Sequence, residues 1–141
     1  MNSQQRLLDK IAIVTGGARG IGAGIVKRLY SEGAKIIIAD LREEVAKKFI
    51  EELDQDKGNI VFHKTDLSKE NEIIKLFEFT SNKWSKLDLF INNAGIEDGY
   101  ILEDQTYENY KKTISINMDA AFLCSKYSLP LFEKAKGGRI V

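Results

Sequence analysis

Tyr107 and Lys111 form the single Tyr-x-x-x-Lys pattern of the chain, within the sequence YENYK. A spacing of four places both side chains on the same face of a helix. A lysine cation beside a tyrosine lowers the pKa of the phenol, which can then exchange a proton with a substrate oxygen. The pattern therefore makes this pair a candidate for proton transfer.

A second chemical signal is the glycine-rich segment TGGARGIG, which runs from Thr15 to Gly22. It follows a short apolar run and opens an amphipathic one, as expected for a turn from a strand into a helix. The spacing is G-x-x-x-G-x-G, and its glycines would let a pyrophosphate approach the helix N-terminus. Free N–H groups and the helix dipole stabilise an anion there, so the segment predicts a dinucleotide-phosphate site.

Asp40 ends the next apolar run, and an acidic residue at a strand end has a specific use in dinucleotide sites. Its carboxylate can accept hydrogen bonds from the adenosine ribose hydroxyls of NAD, and it would repel the additional phosphate of NADP. Arg19 in the glycine turn and Arg42 after the strand could instead pair with that phosphate. The sequence therefore predicts NAD as the cofactor, with NADP as the less favoured alternative.

Short apolar runs alternate with longer amphipathic ones along the whole chain. Runs without polar alternation are typical of strands buried on both faces of a parallel sheet. They lie at residues 11–14, 36–39, 60–62 and 87–91, with the start of a fifth at 139–141. The order β-α-β-α-β-α-β-α-β predicts an α/β fold with a doubly wound parallel sheet and right-handed crossovers.

Apolar residues at helical spacing predict four helices, at about residues 21–29, 45–53, 73–84 and 105–131. Ser68, followed by Glu72, is the predicted start signal of the third helix. Pro130 is expected to end or kink the fourth helix. Five large residues of the fourth helix lie on roughly one face: Tyr110, Ile114, Met118, Phe122 and Leu129.

Composition excludes several classes of function. The 141 residues are 43% hydrophobic and 30% charged, as in one globular domain or part of one. Twenty-one basic residues balance 21 acidic ones, so neither nucleic acid nor a membrane is a predicted partner. The lone Cys124 and the absence of a signal-peptide pattern predict a cytoplasmic protein. His63 has no cysteine or second histidine to join it, and no metal site is predicted.

Five motifs together resemble the short-chain dehydrogenase/reductase family, in the family's order and at suitable spacing from about Asp9 onward. They are TGGARGIG, the strand ending in Asp40, TDLS (65–68), NNAG (92–95) and INMDAAF (116–122). The resemblance implies that residues 1–141 are a partial NAD(P)-binding domain of Rossmann type. It also implies an oxidoreductase that moves hydride between a nicotinamide cofactor and an alcohol or carbonyl substrate.

The resemblance carries the family's cofactor-binding residues onto matching positions. In the glycine turn these positions are Thr15, Gly16, Arg19, Gly20, Ile21 and Gly22. Asp66 and Leu67 would line the adenine pocket, with the carboxylate reaching the exocyclic amine. Asn93, Ala94 and Gly95 would form the floor beneath the adenosine ribose. Asn92 and Asn93 would also bond the backbone and brace the sheet.

By the same resemblance, Asn117 is the fourth catalytic residue, which would disturb its helix locally and hold a water of the proton relay. The family places its catalytic serine after the fifth strand and its Tyr-x-x-x-Lys pair in the following helix. Tyr107 and Lys111 come before Asn117 and are therefore interpreted as a chance match. The catalytic serine, tyrosine and lysine are expected to lie beyond residue 141, so the enzymatic status of these residues alone stays open.

Three interpretations follow from the residues. The chain is the cofactor-binding half of an NAD(P)-dependent oxidoreductase, or a non-catalytic module that holds NAD or pairs with a related subunit, or an inactive truncated gene product. Single-domain α/β folds commonly reach roughly 250 residues, so about half of such a domain is expected to be missing. A small-molecule alcohol or carbonyl substrate and a homo-oligomer are expected from the family analogy alone.

Overall fold

The computed structural model describes residues 5–55 and 58–141. In these residues five parallel strands form one sheet, in the order β3-β2-β1-β4-β5. The strands are β1 (Ile11–Thr15), β2 (Lys35–Asp40), β3 (Ile60–Lys64), β4 (Leu89–Ile91) and β5 (Arg139–Ile140). The order grows outward from β1 in both directions, so the predicted doubly wound α/β sheet is confirmed.

Helices connect the strands and cover both faces of the sheet. They are α1 (Gly20–Ser31), α2 (Glu43–Asp54), α3 (Glu70–Trp84), α4 (Tyr107–Ile114) and α5 (Ala120–Lys134). A short 3-10 turn (Leu102–Asp104) precedes α4, and a π-helix (Ser115–Asp119) joins α4 to α5. None of the helices in these two ranges is long and apolar enough to cross a membrane.

The central parts of β1 and β2 are apolar because both faces of these strands pack on helices. Ile36, Ile37 and Ile38 of β2 are all completely buried, although successive side chains point to opposite faces. Ile37 packs in the cluster with α3 and α5, whereas Ile36 and Ile38 pack in the cluster with α1 and α2. This double burial explains why these runs carry no polar alternation.

Strand β4 begins two residues later than the sequence predicts. Asp88, just before it, is buried, and its carboxylate accepts hydrogen bonds from the Ile11 N–H at 3.0 Å and from Lys10 Nζ at 2.9 Å. A side chain, rather than the carbonyl of a paired strand, therefore satisfies the N–H of Ile11. The strand ladder starts only at Leu89.

The fourth helix differs from the prediction both in its extent and in the face that it buries. The π-helix interrupts it after Ile114, and it continues through Pro130 to Lys134. The buried face consists mainly of small residues together with Leu131 and Phe132, whereas Met118 and Phe122 are exposed. The small side chains of Ala120, Cys124 and Ser128 let α5 lie close to the rest of the core, which turns the larger stripe outward.

Cys124 is buried in the core cluster beneath α5, where it packs as a small apolar residue. Burial raises the pKa of its thiol to about 12. The side chain is therefore a neutral thiol at physiological pH, and it serves packing rather than nucleophilic chemistry.

Candidate cofactor site

A cleft of about 520 Å³ opens where β1, β2 and β4 end. The carboxyl ends of parallel strands meet at one edge of a sheet, and ligands of open α/β sheets bind in the crevice at that edge. The wall residues are Gly16, Arg19–Gly22, Ala39–Arg42, Thr65–Leu67, Asn93–Ile96 and Ile116. Segments that lie far apart in sequence thus surround a single space.

The glycine turn brings the start of α1 to the cleft. Gly16 has a φ of +63°, a conformation that favours glycine. A Cβ on Gly22 would collide with the carbonyl oxygen of Gly16 and would lie 2.7 Å from Asn93 Nδ2. No side chain caps α1 at Arg19, and its first turn carries no acidic residue. The N-terminal N–H groups therefore present their positive dipole end to the cleft, where an anion would be stabilised.

Thr15 and Asn93 lock the first and fourth strands together behind this turn. The Thr15 hydroxyl donates to the Ile91 carbonyl at 3.2 Å and accepts from the N–H groups of Asn93 and Ala94, each at 3.0 Å. Asn93 Nδ2 donates to the carbonyl oxygens of Thr15 at 2.9 Å and Gly16 at 3.3 Å. Thr15 is completely buried, so it shapes the floor of the cleft without lining it.

The predicted bracing by the two asparagines follows two different routes. Asn93 braces the sheet through its side chain, as expected. Asn92 contributes its backbone N–H, which donates to the carbonyl of Val141 at 2.7 Å and continues the contact between β4 and β5.

Asp40 is held at the end of β2 by backbone donors. It is only 6% exposed, and its two oxygens accept from the N–H of Ala18 at 3.2 Å and the N–H of Arg42 at 3.0 Å. The Arg42 guanidinium lies 3.7 Å from the same carboxylate, and the Arg19 side chain is exposed at the rim. The carboxylate is thus fixed at the cleft wall and is not a freely solvated strand-end group.

Asp66 lines the cleft beside Asp40, since β2 and β3 are neighbours and the N–H of Thr65 donates to the Asp40 carbonyl at 3.1 Å. The Asp66 Oδ1 atom accepts from the Ser68 hydroxyl at 2.6 Å and the Ser68 N–H at 3.0 Å, and Lys69 Nζ lies 3.1 Å from Oδ2. The hydrogen bond from Ser68 and the ion pair with Lys69 lower the pKa of Asp66 despite partial burial. Asp66 is therefore an ionised acceptor at neutral pH.

The prediction that Ser68 starts α3 is wrong. Helix α3 begins at Glu70 after Lys69, and the Ser68 hydroxyl bonds to Asp66 instead of capping the helix. Glu72 reaches back to accept the Asp66 N–H at 2.7 Å. This first turn of α3 therefore secures the Asp66 loop, which is a contact that the sequence pattern does not reveal.

Asn117 lies in the π-helix, where the local disturbance expected at this residue is present. Its amide makes a two-way contact with the backbone of Ile96: Nδ2 donates to the carbonyl at 2.9 Å, and Oδ1 accepts the N–H at 2.8 Å. Ile96 lines the cleft, whereas Asn117 does not. The side chain therefore fixes the segment that follows Gly95.

Tyr107 and Lys111 lie at the start of α4, and among the described residues neither of them lines the cleft. Tyr107 is 72% exposed. The Lys111 ammonium lies over its ring, 4.8 Å from the centroid, and Tyr110 stacks beside it with 6.2 Å between ring centroids. This geometry is a surface cation–π contact.

Most of the residues predicted for the cofactor meet in one place. Eleven of the thirteen predicted cofactor-binding and catalytic positions line the cleft, and the other two lie behind it. The predicted residues in the wall are Gly16, Arg19, Gly20, Ile21, Gly22, Asp40, Asp66, Leu67, Asn93, Ala94 and Gly95. Thr15 and Asn117 stand behind it and support it.

Sequence reasoning missed Ile96, Ile116 and the bracing pair Lys69 and Glu72. Ile96 directly follows the NNAG motif, and that adjacency is the one signal that could have identified it. No group of three or more His, Cys, Asp or Glu residues that could hold a metal ion occurs in residues 5–55 and 58–141.

A comparison with models of known protein families identifies the family of the chain. The family model described as short chain dehydrogenase matches residues 10–141. The chain therefore belongs to the short-chain dehydrogenase family, as the motifs indicated. This family uses nicotinamide cofactors, and its fold agrees with the parallel sheet described above.

Relatives support the same assignment over most of the chain. Zerumbone synthase of Zingiber zerumbet is 33% identical over 138 residues, covering 96% of this chain and 51% of the relative. Tropinone reductase-like 2 of Erythroxylum coca is 35% identical over 141 residues, covering 97% of this chain and 50% of the relative. The chain thus spans about half the length of the curated relatives that it matches.

A solved structure agrees closely in fold. A metagenomic short-chain oxidoreductase in complex with NADP superposes with a TM-score of 0.88 at 29% identity. The match covers 96% of this chain and 61% of that one. The described elements therefore have the arrangement of the corresponding portion of that oxidoreductase.

Proposed function

We propose that this chain is the cofactor-binding portion of an NAD-dependent oxidoreductase that acts on an alcohol or carbonyl group of a small molecule. The observation that carries the proposal is the convergence of Gly16–Gly22, Asp40, Asp66 and Asn93–Gly95 on one cleft. Each of these segments ends or follows a different strand, and nothing in strand packing alone requires such polar and glycine-rich residues there.

Different residues of the cleft would bind different groups at the adenosine end of a dinucleotide. The start of α1 would hold the pyrophosphate, Asp40 the ribose hydroxyls, and Asp66 the exocyclic amine of adenine. Ala94 and Gly95 leave room for the ribose to approach the sheet. The bound nicotinamide would supply the hydride acceptor or donor.

The preference for NAD rests on Asp40. Its two carboxylate oxygens each accept one backbone N–H, which leaves lone pairs for ribose hydroxyls. A phosphate at the same place would meet a buried negative charge, which costs binding free energy. The nearby Arg42 is already 3.7 Å from that carboxylate, which lowers its availability for a phosphate.

Binding of NAD and NADP to the wild type and to Asp40→Ser tests this preference. We expect the wild type to bind NAD at least tenfold more tightly, and Asp40→Ser to reduce that ratio by about tenfold or more through loss of repulsion. Asp9→Ser, which removes an exposed acid from the N-terminal side of β1, is the matched control for net charge. A wild type that prefers NADP would refute the assignment.

We assign to Asn117 the role of holding a water of the proton relay. The π-helix around it supports this role, because such bulges are frequent at functional sites. In the proposal, the serine, tyrosine and lysine of catalysis lie in residues beyond those described, and Tyr107 with Lys111 takes no part.

The second candidate is a non-catalytic binding module or an inactive truncated product. The observation that favours it is that the chain matches only about half the length of its relatives. The intact mass of the protein isolated from its natural source separates the candidates. A mass well above the 15.9 kDa of these 141 residues would support the enzyme. A mass equal to that value would support the second candidate, and NAD binding would then distinguish a module from an inactive product.

We further propose a homo-oligomer in a reducing, cytoplasmic compartment. The family analogy and the exposed side chains of Met118, Phe122 and Leu129 support association, and the neutral buried thiol of Cys124 fits a reducing environment. Sedimentation of the natural protein tests the association directly. A monomer at all accessible concentrations would remove this part of the proposal.

A further inference from the structure

Three charged side chains form a closed arrangement at the adenine end of the cleft. The Asp66 N–H donates to Glu72 Oε2 at 2.7 Å, and Lys69 Nζ lies 3.1 Å from Asp66 Oδ2 and 3.7 Å from Glu72 Oε1. We propose that Glu72 is a positioning residue for adenine recognition, which holds the Asp66 backbone directly and its carboxylate through Lys69. The inference rests on the proposed function and names a residue outside the cleft wall.

The hydrogen-bond capacity of Asp66 determines where adenine can bind. Its Oδ1 atom already accepts two hydrogen bonds from Ser68, which uses both lone-pair positions of that oxygen. Its Oδ2 atom faces Lys69 and keeps one further acceptor position. The exocyclic amine of adenine is therefore received by Oδ2, the atom whose position Lys69 and Glu72 control.

Glu72 is placed for this task by the geometry of α3. It is the third residue of the helix, where the helix dipole favours a carboxylate. Its side chain is 29% exposed and that of Asp66 is 24% exposed, whereas Lys69 is 57% exposed. The two acids are thus partly withdrawn from solvent, and the lysine between them offsets their mutual repulsion.

Glu70 provides a matched comparison on the same helical turn. It carries the same charge and also lies in the first turn of α3. Its Oε1 atom accepts from the Tyr127 hydroxyl at 2.6 Å, which connects α3 to α5 and not to the cleft. Replacing Glu70 therefore reproduces the change in charge and in helix dipole without touching Asp66.

The ratio of affinities for dinucleotides that differ at the purine 6-position is a suitable measurement, because simple structural damage would not change it. Adenine presents an amine donor there, whereas hypoxanthine presents a carbonyl oxygen that an ionised acceptor repels. Nicotinamide hypoxanthine dinucleotide carries this carbonyl oxygen in place of the amine, together with a proton on the adjacent N1, and is otherwise identical to NAD. Loss of fold would weaken both dinucleotides alike, because they share the pyrophosphate, the riboses and the nicotinamide.

Calorimetric titration of the full chain with NAD and with nicotinamide hypoxanthine dinucleotide tests the inference. The wild type is expected to prefer NAD. Glu72→Met should lower NAD affinity about threefold to tenfold with little change for the hypoxanthine analogue, as loss of one charge-assisted contact predicts. Glu72→Gln, which keeps an acceptor for the Asp66 N–H, should recover part of the loss, and Glu70→Met should leave the ratio unchanged.

The outcomes separate this inference from the proposed function. A wild type that binds neither dinucleotide would overturn the proposed function and this inference with it. A wild type that prefers NAD, with an unchanged preference in Glu72→Met, would overturn the role of Glu72 alone. If Glu72→Met does not fold, Lys69→Met provides the same test at Oδ2, and an unchanged preference there would equally contradict the inference.

Discussion

The side-chain amide of Asn117 and the backbone of Ile96 are paired in both directions, at 2.9 Å and 2.8 Å, across 21 residues of sequence. This contact ties the helical region that contains the π-helix to the loop that leaves β4. Since Ile96 lines the cleft, the position of this part of its wall depends on Asn117.

Replacing Asn117 by Ala should therefore loosen the segment after Gly95. We expect amide exchange at Ile96 to accelerate about fivefold to tenfold, because the N–H loses its acceptor. Hydrogen exchange followed by NMR measures this directly. Asn109→Ala on α4 is the control, since its backbone N–H rather than its side chain makes the contact with Thr106. Unchanged protection at Ile96 in Asn117→Ala would contradict the contact.

Two glycines of α1 should respond oppositely to the same substitution. A Cβ on Gly22 would collide with the Gly16 carbonyl, whereas a Cβ on Gly24 would meet no atom within 4 Å. We expect Gly22→Ala to lower the free energy of unfolding by about 1–3 kcal/mol and to weaken NAD binding. Gly24→Ala should raise it by about 0.5–1 kcal/mol through helix propensity. Urea denaturation measures both, and equal effects would refute the close packing at Gly22.

Tyr107→Phe should leave NAD affinity unchanged within about twofold, because the residue lies on the surface and outside the cleft wall. The substitution keeps the ring that contacts Lys111 and removes only the hydroxyl. Any oxidoreductase turnover of the natural protein should also persist. A tenfold or larger loss of turnover in this variant would show that the pair does transfer a proton.

Asp88 should contribute stability that depends on pH. Burial raises the pKa of its carboxyl, but hydrogen bonds from the Ile11 N–H, Lys10 and Lys86 outweigh this effect and lower it overall. A lowered pKa in the folded state means that the contribution is complete above the unfolded value of about 3.9 and disappears as the pH falls through the folded value.

The corresponding measurement compares the free energy of unfolding of the wild type and Asp88→Asn between pH 7 and pH 2. The difference between the two should be largest at neutral pH and should shrink below about pH 4. Asp104→Asn is the control, since Asp104 is exposed and its side chain makes no hydrogen bond or ion pair with any described residue. A difference that stays constant with pH would exclude the proposed linkage.

The sequence predicts most of the residues that meet at the cleft, although not Ile96 or Ile116. Apolar runs of the β2 type are buried on both faces, so they are identified as strands of a parallel sheet, and all such strands end at one edge. Gly16 directly follows β1, Asp40 is the last residue of β2, and Asn93 lies two residues after β4. Their positions relative to the sheet were therefore determined as soon as the strands were recognised.

The pairing of Glu72 could not be predicted in the same way. A capping box needs a spacing of three residues, and Ser68 and Glu72 are four apart. With α3 beginning at Glu70, the residue three before Glu72 is Lys69, whose side chain cannot accept a hydrogen bond. Glu72 is then free to reach the Asp66 N–H, and this follows only from the path of the loop in three dimensions.

The orientation of α5 could not be predicted from the sequence either. Its stripe of large apolar residues, such as Phe122 and Leu129, has the spacing of a buried face. The structure buries the stripe of small residues instead, which includes Cys124 and Ser128. Periodicity identifies stripes, but which of them packs on the core depends on how closely the helix can approach its neighbours.

The proposed function requires that the cleft at the ends of β1, β2 and β4 binds the adenosine end of NAD. NMR titration of the full chain with NAD tests it most directly. Binding in the cleft predicts saturable shifts at the backbone amides of Gly16, Gly20, Asp66 and Ala94, with little change along the exposed face of α5. An absence of saturable shifts up to millimolar NAD, or shifts confined to α5, would contradict it.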